Sequence, residues 1–411
     1  MPMSQYCDLI IENVQIASMQ YNGMPYGAVP YSAVAVKDGL IFDIYNPTIK
    51  PYHAAKIVNG NNNWLLPGLI DCHTHLVFGG DRCEEFEQRL QGKSYADIAR
   101  QGGGIQSTVK ATRAATKQQL LKSALKRASR LADEGVTCIE VKSGYGLDLH
   151  TEIKMLEVAQ EIADHLPLTI VTTYLGAHAL PLEYLTKPNE YIDFICDHVI
   201  PVIADRKLAT SVDVFCESIG FNLAQCQQVF EAAKSHKLNI KAHAEQLSDS
   251  KGAKLAAKFG ALSVDHIEYL APCDVPAIKH ADSVAVLLPG AFYCLNETQK
   301  PPVASLRENN IPIAIATDLN PGSSPIASLL TVMNMACVLF GLTPQEALFG
   351  VTVNAAKALG MTNKGCIDQG MDADLCLWEI SHPSALSYGI NQHRPIAKWI
   401  GGSMVPTNKH V

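Results

Sequence analysis

Between Trp64 and Asp318 one pattern repeats eight times: an apolar run that stops at small or polar residues, followed in most cases by a polar helical stretch. The runs are WLLPGLIDCHTH, VTCIEVKSG, LTIVTTYLGAH, SVDVFCES, LNIKAHAE, LSVDHIEYL, VAVLLPG and IPIAIATD. Runs this continuously apolar suit strands buried on both faces, the condition of a parallel sheet. KQQLLKSALKRASRLADEG, NLAQCQQVFEAAKSHK and SKGAKLAAKFG have the composition of the helices such a sheet needs as crossovers. The pattern predicts an α/β chain with a (β/α)8 TIM-like barrel over residues 66–364. A doubly wound open sheet is the competitor; it would more naturally carry a GxGxxG turn, and none occurs.

The two ends of the chain read differently. CDLIIENVQI, SAVAVKDGLIFDIY and AAKIVNG near the start are short strands and hairpins, and DADLCLWEI and AKWIGGSMV near the end return to that pattern. One small composite β-sandwich domain, made of residues 1–65 and 365–411, is therefore expected beside the barrel.

Charge and cysteine usage narrow the function. A formal charge of −7 argues against nucleic-acid and anionic-membrane partners, which need a basic footprint, but leaves room for a small anionic substrate. The 12 cysteines form no CxxC pair, so they read as buried small residues in a reducing compartment. MPMSQYCDLIIENVQ carries no signal-peptide pattern, and the apolar stretch Ile326 to Leu342 is interrupted by Ser328, Thr331 and Asn334. A buried helix in a cytoplasmic enzyme is expected. The pair Met333 and Met335 reads as core packing.

Polar groups fall where the apolar strands stop. His73 and His75 close the first strand, His178 the third and His243 the fifth; His266 lies at the sixth and Asp318 closes the eighth. In a barrel these ends share one rim, where active sites form. His73 and His75, two apart on a strand, point to the same side and can grip one ion. With His243 and Asp318 they make a donor set suited to zinc or iron(II). An HxH pair alone is more often incidental; four such groups, each at a strand end, reverse those odds.

PGLIDCHTHLVFGGDR resembles the signature of the amidohydrolase superfamily. GDRCEEFEQRLQGKSYADIARQGGGIQSTVKATR, KSGYGLD, YLGAHALP, KAHAEQLS, DHIEYL and ATDLNPGSSP are similar to the imidazolonepropionase family within it. The resemblance implies hydrolysis of 4-imidazolone-5-propanoate to N-formimidoyl-L-glutamate in histidine degradation. It also implies one divalent metal ion, zinc or iron, and a homodimer. His73, His75, His243 and Asp318 match the metal ligands. Arg82, Tyr145, His178, Gln246, Asn320, Gly322 and Ser323 match positions that contact substrate, and Tyr95 in GKSYADIA is expected to reach the pocket. Many relatives have Thr in place of Ser323, and some have Glu in place of Gln246. The fourth strand ends Phe215-Cys216-Glu217, without the lysine that bridges two metals in dinuclear members, so a single ion is expected.

Arg82 would bind the propanoate through its planar fork. Asp318 and His266 are the candidate catalytic groups, with Glu245 a third candidate for moving the proton. The run Gly102-Gly103-Gly104 lacks a following GK[ST] and reads as a turn or loop over the substrate rather than a phosphate cradle. Two alternatives stand: a cyclic-base deaminase of the guanine or cytosine type, and a non-catalytic binding protein on the same scaffold.

Overall fold

The computed structural model describes residues 6–93 and 103–406, which form two sheets of eight strands each. Strands β1 (Tyr6–Ala17), β2 (Ala28–Val29), β3 (Ala33–Lys37), β4 (Leu40–Tyr45) and β5 (His53–Pro67) begin the first sheet. The barrel strands are β6 (Leu69–Asp71), β7 (Val136–Lys142), β8 (Thr169–Ala177), β9 (Ser211–Cys216), β10 (Asn239–Ala244), β11 (Ser263–His266), β12 (Val284–Leu287) and β13 (Ile313–Ile315). Strands β14 (Leu375–Trp378), β15 (Ala397–Ile400) and β16 (Ser403–Val405) return to the first sheet.

All eight apolar runs read from the sequence contain the barrel strands, which pair in chain order and in parallel. The ring closes just beyond the ends of β6 and β13. There Thr74 bridges Leu319 in parallel register, Asp318 N donates to His73 O at 3.0 Å, and His75 N donates to Leu319 O at 3.0 Å. The residues that close the barrel are thus the candidate metal-binding segments themselves.

Helices start where their caps dictate. The helix Lys117–Asp133 opens on a capping box of Thr116 and Gln119, and Leu223–Ser235 on one of Asn222 and Gln225. Met333 is buried on the helix Leu329–Phe340 and Met335 packs partly buried against the same core. No helix among the described residues is long and apolar enough to cross a membrane.

The run WLLPGLIDCHTH is not one strand. Trp64 to Pro67 pair with β14 in the first sheet, whereas Leu69 to Asp71 pair with β7 in the barrel. The chain changes sheets at Gly68, where any Cβ would collide with the Thr137 side chain. The first sheet runs unbroken from β16 to β4, yet Val34 and Val36 from one end share a core cluster with Leu375, Leu377 and Trp399 from the other. It is a single sheet curled over its own apolar filling.

Candidate metal centre

Four donors converge at the barrel mouth. His73 Nε2 lies 3.2 Å from His75 Nε2, which lies 3.3 Å from His243 Nε2. Asp318 Oδ1 is 3.4 Å from Nε2 of both His73 and His75. All four residues are buried. Asp318 is held there in left-handed backbone (φ 51°) by the hydrogen bond its backbone N–H donates to His73 O, a strained conformation of the kind found at functional sites.

The donors ask for a cation. Asp265 Oδ2 takes His73 Nδ1 at 2.6 Å, and Asp213 Oδ2 lies 3.1 Å from His243 Nδ1. A carboxylate fixes the tautomer of an imidazole it binds and turns the other ring nitrogen's lone pair inward. The His73 lone pair and the Asp318 oxygen then face His75 Nε2, which has at most one proton to offer. Donor separations of 3.2–3.4 Å are also those of neighbouring ligands on one ion with metal bonds of about 2.0–2.1 Å. The residues present fit a metal ion. His73, His75 and Asp318 form one group able to hold it, and His73, His243 and His266 form another.

His266 ends β11 with φ 77° and Ile267 follows at φ 64°. Its Nδ1 is buried without a hydrogen-bond partner among the described residues, and its ring lies 5.3 Å from that of His243. His178 follows β8; its Nδ1 donates to Gly144 O at 3.0 Å and its ring stacks on His75 at 5.3 Å. Tyr145 packs between Phe78, His75 and His178, and burial pushes its hydroxyl pKa up.

Arg82 Nε donates to Glu85 Oε2 at 2.8 Å, and its Nη1 occupies the space a side chain on Gly322 would take. Asn320 organises that neighbouring loop. Its Oδ1 accepts from the amides of Gly322 and Ser323, each at 2.8 Å, and its Nδ2 donates to Asp318 O at 2.7 Å and Ser323 Oγ at 2.9 Å. Asn320 thus spends its polar groups shaping the 318–324 turn. Gln246 is half-buried after β10, between two pinned neighbours: Glu217 accepts from Leu247 N at 2.9 Å, and Glu245 accepts from Gly252 N at 2.6 Å and Ala253 N at 2.9 Å. The Glu245 carboxyl, pushed up to about 7 by burial, serves the start of the helix Gly252–Lys258. Tyr95 and Gly102 lie outside the described residues; Gly104 is the N-cap of the helix Ile105–Ala114.

Sequence reasoning missed the layer beneath. Lys142 Nζ lies 2.8 Å from Asp213 and 2.9 Å from Glu140, and Lys241 Nζ lies 3.0 Å from Glu140, all fully buried in the barrel. Through Asp213 and Asp265 this charge network reaches His243 and His73. A signal existed: Glu140 and Lys142 are two apart on β7, as Lys241 and His243 are on β10, so each pair shares a strand face.

Residues 64–405 match the model of the amidohydrolase family. The chain is 59% identical to a protein named imidazolonepropionase from Pseudoalteromonas atlantica, over 97% of this chain and 99% of the relative. It is 58% identical to one of the same name from Alteromonas mediterranea, again over 97% and 99%. Among solved structures, a 5-methylcytosine deaminase from Klebsiella pneumoniae is similar with TM-score 0.73 and 17% identity, over 97% of this chain and 98% of that one. An adenosine deaminase from Xanthomonas campestris with bound zinc is similar with TM-score 0.71 and 17% identity, over 97% and 93%. At that identity the structural likeness speaks for the fold alone.

Proposed function

The chain belongs to the amidohydrolase family, and from that premise we propose that it opens the ring of 4-imidazolone-5-propanoate to give N-formimidoyl-L-glutamate in histidine degradation. One observation carries this reading: identity of 58–59% to imidazolonepropionases along 97% of the chain. The enzyme is a hydrolase of a cyclic amide C–N bond. The deaminase alternative is not favoured, because its support is confined to 17% likeness in fold.

Water adds across the ring amide; the C–N bond breaks, the carbonyl carbon becomes a carboxylate, and the nitrogen leaves with a proton. His73, His75, His243 and Asp318 would hold one divalent ion, zinc or iron, which supplies a Lewis acid for the carbonyl and makes water acidic near pH 7. The Asp318 carboxylate, buried 3.4 Å from Nε2 of both His73 and His75, is the group placed to take the proton of the attacking water. His266, whose ring lies 5.3 Å from that of His243 and whose Nδ1 has no partner among the described residues, would steady that proton on its way to the leaving nitrogen. Because Gly144 O can only accept, His178 carries its proton on Nδ1 and offers Nε2 as an acceptor for a ring N–H. Tyr145 keeps a protonated hydroxyl to donate, and Arg82 clamps the propanoate. Gln246 and Ser323 border the ring on the loops after β10 and β13.

The proposal extends to a homodimer in the cytoplasm without nucleic-acid partners, in keeping with a net charge of −7. It also divides the chain into a barrel of residues 66–364 and a small domain of residues 1–65 and 365–411. Loss of imidazolone ultraviolet absorbance tests the activity. Metal-dependent decay with imidazolonepropanoate is expected; ammonia release from cytosine or guanine with no imidazolone turnover would overturn the assignment.

A further inference from the structure

We propose that Glu85 is a positioning residue for Arg82, turning the open edge of its guanidinium toward the substrate carboxylate. The inference rests on the reading of Arg82 as the carboxylate clamp. Glu85 lies in the first turn of the helix Cys83–Leu90. Its Oε2 accepts from Arg82 Nε at 2.8 Å, while its Oε1 accepts from Gly104 N at 3.1 Å and Ser107 Oγ at 2.8 Å. The carboxylate is therefore anchored on its far side by the first turn of the next helix, Ile105–Ala114, and cannot swing with Arg82.

A surface pair three residues apart on a helix contributes little, because water competes for both partners and each loses rotamer freedom. This pair differs on two counts. Both side chains are about 15% exposed (16% and 15%), and the carboxylate has three donors rather than one. With Nε held by Glu85 and Nη1 lying against Gly322, the guanidinium plane is fixed from two directions. Its Nη groups have no protein acceptor among the described residues, so the end of the fork is open to a carboxylate ligand. A fork aligned before binding gives up less freedom when the ligand arrives.

Steady-state kinetics of Glu85→Gln, Arg82→Ala and the double variant test this. Glu85→Gln is expected to raise KM for imidazolonepropanoate about tenfold with kcat within about twofold, the pattern of lost ground-state binding. In the Arg82→Ala background it should add nothing. A raised KM in Arg82→Ala with an unchanged KM in Glu85→Gln would overturn the positioning role and leave the clamp standing. An unchanged KM in Arg82→Ala would remove the clamp itself, and this inference with it. An equal effect of Glu85→Gln with and without Arg82 would mean that Glu85 acts through the fold, which also overturns it. Should Glu85→Gln fail to fold, Ser107→Ala removes one anchor and must still raise KM; no change there overturns the proposal.

Discussion

Gly322 shows how tightly single residues are fixed at the rim. A methyl there would occupy the place of Arg82 Nη1 and push the guanidinium out of its set position, while the backbone stays as it is. Gly322→Ala is therefore expected to raise KM about tenfold while shifting Tm by less than about 2 °C, as measured by kinetics and thermal melts of one preparation. Asp318→Ala removes a proposed ligand and the proposed proton acceptor together, and should cost about a thousandfold in kcat. Asp265→Asn keeps the shape but weakens the hold on His73, and should lower metal affinity about 10–100-fold in a chelator competition. His73, His75, His243 and Asp318 could be picked out from the sequence because each interrupts an apolar strand at its end. Asp213 and Asp265 could not, since one acid inside an apolar run says nothing until its partner strand is known. The resemblance pointed to Asn320 as a contact, but it could not reveal that this side chain also shapes its own turn.

Strands and helices differ in how openly they declare themselves. The eight barrel strands were legible because burial on both faces leaves long apolar runs, and the helices because polar, alanine- and lysine-rich stretches follow those runs; the caps Thr116 and Asn222 that start two of them were not read. Thr116→Ala should cost about 1 kcal/mol in a urea titration. The change of sheet at Gly68 was hidden, because Trp64 to Ile70 is uniformly apolar and both sheets reward that equally. Inside β7, Lys142 balances Glu140 and Asp213 without access to water. Lys142→Met would leave Asp213 without its lysine and Glu140 with Lys241 alone, and a loss of about 3–5 kcal/mol is expected. A variant as stable as the parent would show that the network does not brace the site.

The whole molecule is a ring whose seam carries its chemistry: Asp318 and His75 join the last strand end to the first, and both are donors to the proposed ion. Metal binding and closure should therefore be linked. An ion at a thousand times its dissociation constant adds about 4 kcal/mol, or about 5 °C in Tm for a chain of this size. The most direct measurement is titration of metal-free protein with zinc or iron(II) while imidazolone absorbance is followed. Activity should rise from nothing and reach its plateau at one ion per chain. Full turnover in the metal-free protein, or a plateau at two ions, would contradict a single ion held by these four side chains.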